Sequence, residues 1–333
     1  TNNISIENST IKPFYRGTYD VFKILKKLKE IDYKGEIGFM NHLIKESPSI
    51  YLPKSKQVYD NWILELNKPI SAFDAPDQAV YDKKSNTWFV SNLGGGISLE
   101  KDNYGWISRL DEEGNVLDWT WMGLKEGFHA PSGMTINNGL LYVVDREGVY
   151  VVDIKNEKVN QFVPIPEGKF LNDIAIDKKG DIYVSDFFAN RIYKIQSKTM
   201  KVEVFLESDK LKSPDGLYID NGNLIVASWG VLKNINSFDT TELGDLLSIN
   251  LKTKEISVLY KELGNLEGIT KKEGYYYITD WNFGRLIKYN IKTKSKEFIL
   301  SGLSHPTDPM YSKDLNIIGI PQHGKNQVLF LKL

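Results

Sequence analysis

The residues best suited to chemistry are carboxylates and amides that recur at one position of a repeated phrase. The phrase is a turn with Pro or Leu, a small polar or acidic residue, two alternating apolar residues and a β-rich run. Its polar positions lie 40 to 55 residues apart. Oxygen donors without thiols suit a hard divalent cation, with Ca²⁺ favoured and Mg²⁺, Mn²⁺ or Zn²⁺ as alternatives. The predicted metal ligands are Asn172, Asp215, Glu267 and Asp77.

A second set of residues could move protons or hold a substrate beside such an ion. A bound cation polarises a carbonyl group and lowers the pKa of a water molecule, and a neighbouring base then accepts the proton. The predicted proton acceptors are His129, His305 and His323, with Asp173 as a carboxylate alternative. The predicted substrate contacts are Ser132, Asp308, Arg146, Trp229 and Trp281.

Each of these residues also has a structural interpretation. Asn172 and Asp215 are ordinary turn residues that can hydrogen-bond their own backbone. Trp229 and Trp281 fit a packing role as well as a ligand platform. Three more aspartates end strands at equivalent positions of the repeat, which favours a shared hydrogen-bonding role over a catalytic one. They are Asp145, Asp186 and Asp280.

The repeated phrase also predicts the scaffold that positions these residues. Six copies, each with several short strands, are typical of an all-β protein that forms a six-bladed β-propeller. Met134, Ile174 and Leu217 should point between blades. In a propeller, the loops before the inner strands and those after the second strands open at one face, so the candidate residues should meet at one channel mouth. The predicted strands of the third copy are Ile174–Ile176, Ile182–Ser185, Arg191–Ile195 and Val202–Phe205.

The ends of the repeat region predict how the ring closes. The sixth copy ends with Val328–Leu333 and lacks an outer strand, whereas Trp62–Leu66 is similar to the outer strand of another copy. We therefore expect an N-terminal strand to complete the sixth blade and remove an open sheet edge. The predicted propeller covers residues 62–333, and a small α/β extension covers residues 1–61. Its predicted elements are a helix over Tyr19–Glu30, a strand over Gly35–Met40 and a helix over Pro53–Asn61.

Three phrases carry a resemblance to a known family. They are Phe170-Leu171-Asn172-Asp173-Ile174-Ala175, Ser213-Pro214-Asp215-Gly216-Leu217 and Ala227-Ser228-Trp229-Gly230. On the basis of these phrases, residues 70–333 resemble the propellers of gluconolactonase, regucalcin (senescence marker protein) and luciferin-regenerating enzyme. NHL-repeat propellers are related to this family. The resemblance implies one divalent metal held by a Glu, an Asn and an Asp from different blades. Asn172 and Asp215 match two of these ligands, whereas Glu267 lies one blade before the position of the family's Glu, which is Thr307-Asp308 here.

A second resemblance concerns the extension. The segments Tyr19-Asp20-Val21, Tyr33-Lys34-Gly35-Glu36-Ile37-Gly38 and Asp60-Asn61-Trp62 are similar to the last α/β units of sugar-phosphate isomerase/epimerase TIM barrels. The resemblance implies a barrel remnant or a fusion stub. It assigns no isomerase active-site residues to this chain.

Composition excludes several classes of function. The 333 residues include 42 basic and 43 acidic ones, so no broad field favours nucleic acid. No apolar run is long enough to span a membrane. The chain has no cysteine, which excludes thiolate catalysis, disulfides and Cys–zinc sites. Since the sequence begins at Thr1, a signal peptide would lie outside it. A periplasmic or secreted location is favoured, although the location is left open.

Two functions are open at this point. The first is a metal-dependent hydrolase of the lactonase or esterase type that acts on a small sugar-derived or hydroxy-acid substrate. The second is a non-catalytic propeller that binds a small ligand or a protein through the same face. The oxygens of Asn172, Asp215 and Glu267 favour the enzyme. We expect a monomer with a small-molecule substrate or ligand, and neither nucleic acid nor a membrane as partner.

Overall fold

The structure is a computed structural model in which residues 3–5, 10–12, 21–31, 33, 35, 37, 44, 46–96, 100–234 and 238–333 are described. The chain divides into two units, Thr1–Lys68 and Pro69–Leu333. No helix among the described residues is long and apolar enough to cross a membrane.

The first unit holds a two-stranded antiparallel ribbon and two helices. Its elements are β1 (Asn3–Ser5), β2 (Thr10–Lys12), α1 (Val21–Glu30) and α2 (Pro48–Asn67). The helices pack through Val21 and Leu25 of α1 against Val58, Trp62 and Leu66 of α2. The last turn of α2 is also held from α1, because Lys29 Nζ donates to the Leu66 carbonyl oxygen at 2.6 Å.

Helix α2 corrects two predictions. It extends beyond Pro53–Asn61 in both directions, and it contains Trp62–Leu66, which is therefore not a strand. Val58, Trp62 and Leu66 recur at every fourth residue and so share one helix face. A short apolar run does not by itself distinguish a strand from a buried helix segment, which is why the strand prediction was wrong.

Helix α1 agrees with the helix predicted over Tyr19–Glu30, although Tyr19 and Asp20 lie outside the described residues. The strand predicted over Gly35–Met40 falls largely outside them as well.

The second unit is a six-bladed β-propeller. Its first strands are β3 (Ile70–Ser71), β4 (Pro76–Asp82), β5 (Thr87–Asn92), β6 (Trp106–Leu110), β7 (Val116–Met122), β8 (Met134–Asn137), β9 (Leu140–Asp145), β10 (Gly148–Asp153) and β11 (Lys158–Pro164). They continue with β12 (Leu171–Ile176), β13 (Ile182–Asp186), β14 (Arg191–Ile195), β15 (Val202–Glu207), β16 (Pro214–Asp220), β17 (Asn223–Ser228), β18 (Gly230–Asn234) and β19 (Asp239–Asn250). The last are β20 (Ile256–Gly264), β21 (Leu266–Lys272), β22 (Tyr275–Asp280), β23 (Arg285–Asn290), β24 (Lys296–Ser301), β25 (Met310–Ser312), β26 (Ile317–Gln322) and β27 (Gln327–Lys332).

Each blade is an antiparallel sheet whose first strand lies nearest the channel. The first five blades are β4–β7, β8–β11, β12–β15, β16–β20 and β21–β24. In the fourth blade, β18 forms a hairpin with the first half of β19 and so extends beyond the blade. The predicted strands of the third blade are confirmed, with β12 beginning earlier at Leu171 and β15 ending later at Glu207.

The sixth blade is closed by a strand from the N-terminal side, as predicted, but by a different segment. Ile70 and Ser71 of β3 pair with Val328 and Gln327 of β27. The contact continues beyond the strand, because the backbone N–H of Phe73 donates to the Asn326 carbonyl oxygen at 3.2 Å. The closing strand is thus the short β3, which follows the helix that contains Trp62–Leu66.

The core lies between neighbouring blades. Met134 packs with Phe89 of the first blade, Ile174 with Val144 of the second, and Leu217 with Tyr183 of the third. The prediction that these residues point between blades is therefore confirmed. This packing leaves the other end of each inner strand to shape the channel mouth.

Candidate functional site at the channel mouth

Backbone irregularities at the start of the inner strands expose the polar residues of the repeat. In four blades the pairing between the first and second strands shifts register just there, at Pro76/Ala79, Leu171/Ile174, Pro214/Leu217 and Leu266/Ile269. Such bulges release residues from the ladder and redirect their side chains. In three of these blades a hydroxyl group on the second strand accepts the released N–H, as Ser185 Oγ does from Asp173 N at 2.8 Å.

The irregular segments form two rings of residues around the channel. We call the ring nearer the channel mouth the upper ring; it consists of Asp77, Ser132, Asn172, Asp215, Glu267 and Thr307. The lower ring follows one residue later in each blade; it consists of Gln78, Gly133, Asp173, Gly216, Gly268 and Asp308. Five upper-ring residues, all except Thr307, line one cavity of about 30 Å³. That volume suits a water molecule or a single ion.

Upper-ring carboxylates lie close together in a buried environment. Asp77, Asp215 and Glu267 are at most 6% exposed. Burial raises the pKa of Asp77 to about 7, and the nearby Arg146 guanidinium opposes the shift. Burial and the neighbouring carboxylates raise the pKa of Asp215 and of Glu267 well above their ordinary values. The site therefore favours anything that neutralises negative charge, which a proton or a cation can do.

Lower-ring side chains tie adjacent blades together. Asp173 Oδ2 accepts the N–H of Leu217 at 2.6 Å, and Asp308 Oδ1 accepts that of Ile269 at 3.3 Å. Gln78 accepts the N–H of Met134 and donates to Asp308 Oδ2 at 2.8 Å. The side chains of three blades thus satisfy backbone groups of the other three.

Two of the predicted site residues, Asp173 and Asp308, belong to this lower ring. They are not among the described residues that line the cavity. Burial raises the pKa of Asp173 to about 6 and that of Asp308 further. Burial and the neighbouring Asp173 carboxylate raise the pKa of Asp308, so the pair disfavours two negative charges. Gly268 makes room for this pair, because a Cβ there would lie 2.2 Å from Asp308 Oδ1.

A collar of side chains surrounds the cavity above the upper ring. Its members are the residues that directly follow the second strand of each blade, namely Leu93, Arg146, Phe187, Trp229, Trp281 and His323. The first five line the cavity together with Phe170 and Phe238. In five blades the collar residue donates its backbone N–H to the loop before the inner strand, as Trp229 does to the Ser213 carbonyl oxygen at 2.9 Å. The fold therefore fixes the collar relative to the rings.

Collar aromatics contact one another. Phe187 and Trp229 lie 5.8 Å apart between ring centroids, and Trp229 and Trp281 lie 6.0 Å apart. Trp229 Nε1 donates to the Phe238 carbonyl oxygen at 3.0 Å, which ties the hairpin of the fourth blade to the collar. Arg146 lies over the Phe170 ring at 4.5 Å. Three predicted substrate contacts, Arg146, Trp229 and Trp281, thus meet at the mouth.

The three predicted histidines are not among the described residues that line the cavity. His305 stacks on Trp281 at 5.0 Å, and His323 contacts the same ring at 5.1 Å. Burial and the neighbouring His305 lower the pKa of His323 to about 4, so it is neutral near pH 7. His129 is held farther out, where Nδ1 accepts the N–H of Asn103 at 3.2 Å and Nε2 lies 3.4 Å from Glu147.

The strand-end aspartates have the shared hydrogen-bonding role that the sequence favoured. Asp145 accepts the N–H groups of His129 and Ala130 at 2.8 and 2.7 Å. Asp186 accepts that of Phe170 at 2.9 Å, and Asp280 accepts that of Asn265 at 3.3 Å. Each of them fixes the loop that leads to a residue of the upper ring.

Sequence reasoning missed Gln78, Leu93, Phe187, Phe170 and Phe238. The first three stand at positions of the repeat whose counterparts were already candidates. Aligning all six copies at the end of the second strand would have found Leu93 and Phe187 beside Arg146, Trp229 and Trp281. Phe170 and Phe238 come from loops of unequal length, which the repeat does not align.

A divalent cation fits the donor chemistry of the upper ring. Glu267 is only 6% exposed, and its buried Oε2 has no hydrogen-bond partner. Asn172 Nδ2 donates to Asp215 Oδ1, so the amide would have to present its oxygen instead. In the described part of the chain, no group of three His, Asp or Glu side chains is arranged to hold a metal. A set of two carboxylates and one amide oxygen would therefore require the Asn172 amide to turn.

Comparisons with known proteins bear on the fold. No protein-family model and no curated protein matches this chain. A solved gluconolactonase from Xanthomonas campestris is 11% identical with a TM-score of 0.57, covering 79% of this chain and 87% of its own. A structure of the nidogen/laminin complex is 14% identical with a TM-score of 0.53, covering 66% of this chain and 78% of its own. What this chain shares with both is the fold.

Proposed function

We propose that the protein is a divalent-cation-dependent hydrolase of the lactonase or esterase type, with its site in the upper ring. The observation that carries the proposal is the buried Glu267 Oε2, which lacks a hydrogen-bond partner beside Asp215 and Asp77. An ionised carboxylate in such a position is costly unless a cation or a proton compensates it.

The ligands would be Glu267, Asp215 and the amide oxygen of Asn172. Carboxylate and amide oxygens are the donors that Ca²⁺ and Mg²⁺ prefer, and Ca²⁺ tolerates irregular arrangements best. When bound, the cation would polarise the substrate carbonyl group and lower the pKa of a water molecule.

The chain's own residues supply the remaining chemistry. Asp77 lines the same cavity, so its carboxylate can accept a proton from the attacking water. The water oxygen bonds to the acyl carbon, and the acyl–oxygen bond breaks. Asp77 then returns the proton to the departing alkoxide, which leaves as a hydroxyl group.

The gluconolactonase neighbour supports the proposal as an analogy of fold, since propellers host many functions. The nidogen/laminin neighbour comes from a structure of a protein complex and is the corresponding analogy for a binding function. The buried carboxylates favour the hydrolase, because a surface that only binds a protein has no need of them.

The test is hydrolysis of lactones and simple esters by chelator-treated protein after addition of Ca²⁺, Mg²⁺, Mn²⁺ or Zn²⁺. Asp215→Ala should lower kcat/KM by at least about a hundredfold, because it removes an anionic ligand of the polarising cation. Asp215→Asn should weaken cation binding less, since it keeps an oxygen donor. Asp314→Ala changes an exposed carboxylate on the sixth blade and should leave activity unchanged.

Two results would count against the hydrolase. Failure of every substrate with every cation would refute it. If a cation still raised the melting temperature of that inactive protein, the site would be a binding site, and the non-catalytic function would take its place.

A further inference from the structure

The cavity has two chemically different parts. Its floor is the upper ring, where the polar side chains converge. Its wall consists of Leu93, Phe170, Phe187, Trp229, Phe238 and Trp281, with Arg146 as the polar member. A substrate whose carbonyl group lies at the floor must place the rest of its structure against the wall.

Two polar groups of the wall already make hydrogen bonds. Trp229 Nε1 donates to the Phe238 carbonyl oxygen at 3.0 Å. The Arg146 guanidinium covers the Phe170 ring and donates to the Leu171 carbonyl oxygen at 3.4 Å. Most of the remaining wall is apolar or aromatic carbon, so several hydroxyl groups of a sugar would lose their hydrogen bonds to water there. Each such loss costs about tenfold or more in affinity.

An alkyl or aryl group would gain from the same wall. Each methylene that it buries contributes about fourfold in affinity, by the usual apolar transfer free energy. The wall thus selects for an apolar substituent.

Exposure and position identify the wall side chain that a substrate displaces most easily on entering the cavity. A lactone is larger than the cavity of about 30 Å³, which is open to solvent, so it must extend past the wall or displace part of it. Phe187 and Trp229 are buried at 2% and 5% exposure, whereas Phe238 and Trp281 are half-buried. Phe238 also lies on the hairpin that extends beyond the fourth blade. It is therefore the wall residue that a bulky substrate displaces most easily.

We propose that the substrates are hydrophobic lactones or esters with an alkyl or aryl chain, and that Phe238 contacts this chain. The inference rests on the proposed hydrolase and narrows its substrate class, since the sequence had favoured sugar-derived or hydroxy-acid compounds. Phe238 is here a specificity residue and takes no part in the proton transfers at the floor.

The experiment compares three δ-lactones with the cation-loaded protein: δ-decalactone, δ-hexalactone and glucono-δ-lactone. Each kcat/KM is divided by the rate constant for hydrolysis by hydroxide, which removes intrinsic reactivity. We expect δ-decalactone to exceed δ-hexalactone by at least about tenfold, because its extra methylenes reach the wall. Glucono-δ-lactone should be the slowest of the three.

Two variants connect the preference to the wall. Phe238→Ala should reduce the ratio between δ-decalactone and δ-hexalactone by at least about threefold and leave cation affinity unchanged. Phe283→Ala is the control, because Phe283 lies at the same end of the propeller, is 54% exposed and packs on Arg285. A variant that damaged the fold would instead lower cation affinity and slow all three substrates together.

The outcomes separate the two proposals. Preference for glucono-δ-lactone would overturn the hydrophobic substrate class and leave the hydrolase standing. Turnover of none of these lactones and of no simple ester would overturn the hydrolase, and the wall would then be tested by binding of the lactam that corresponds to δ-decalactone. Saturable quenching of tryptophan fluorescence that weakens in Phe238→Ala would support a hydrophobic ligand site. No quenching in either protein would refute it.

Discussion

Replacing Asp77 with Asn should stabilise the cation-free protein at neutral pH. The substitution keeps the shape of the side chain and removes one of the negative charges buried at the floor. Burial raises the pKa of Asp77 from 3.8 to about 7 in the folded protein. The unfolded chain therefore releases the proton at a lower pH than the folded chain does.

This difference sets the sign and size of the effect. As pH rises from about 4 to about 7, the unfolded state ionises first, so the free energy of unfolding decreases. A pKa shift of about three units corresponds to about 4 kcal/mol at pH 8. Asp77→Asn removes this contribution. The variant should match the wild type near pH 4 and exceed it by up to about 4 kcal/mol at pH 8.

The assay is urea unfolding followed by tryptophan fluorescence, with chelator present, at several pH values between 4 and 8. Asp314→Asn serves as the control, because that carboxylate is exposed and pairs with Lys83 on the surface. It should change stability little at any pH. A difference between Asp77→Asn and the wild type that stays constant across this range, or a variant less stable at pH 8, would refute the account of the buried charge.

Three further substitutions test other parts of the structure by urea unfolding. Gln78→Ala should lower the free energy of unfolding by about 1–3 kcal/mol, because the N–H of Met134 loses its acceptor; an unchanged value would contradict the lower-ring account. Ile70→Ala should cost about 1–2 kcal/mol, since Ile70 is a half-buried part of the closing strand; no loss would argue against closure by β3. His323→Gln should remove the loss of stability that the wild type shows between about pH 6.5 and 4, because the folded state resists protonation of this buried histidine; identical pH profiles would contradict that burial.

The repeat made much of the propeller predictable. Copies of one phrase at similar spacing implied six blades, and the same register placed Asp77, Asn172, Asp215 and Glu267 at one channel mouth. These inferences succeeded because every copy obeys the same local rules of turn and alternation. The position of a residue within the phrase was enough to assign it to a face.

What could not be predicted depends on contacts between segments far apart in sequence. Trp62–Leu66 is apolar enough for a strand, but it belongs to α2 and packs against α1. Asp173 was a candidate base, and its carboxylate lies in the lower ring, where it accepts the N–H of Leu217. Phe238 reaches the collar from the hairpin of β18 and β19, which extends beyond the fourth blade.

The shape of the mouth also explains why the histidines were attractive candidates and yet lie away from the floor. His305 and His323 flank Trp281, and only that tryptophan lines the cavity. The repeat predicted the correct end of the propeller for all three residues. It contained no information on how deeply each side chain reaches into the channel.

Calorimetric titration of Ca²⁺ into chelator-stripped protein measures whether the upper ring binds one divalent cation. We expect one ion per chain in the wild type and affinity at least about tenfold weaker in Glu267→Gln, which removes an anionic ligand. Melting temperature should rise with Ca²⁺ in the wild type by mass action. If the wild type binds no ion, and Mg²⁺, Mn²⁺ and Zn²⁺ give the same result, the buried carboxylates are neutralised by protons alone and the proposed cation site is wrong.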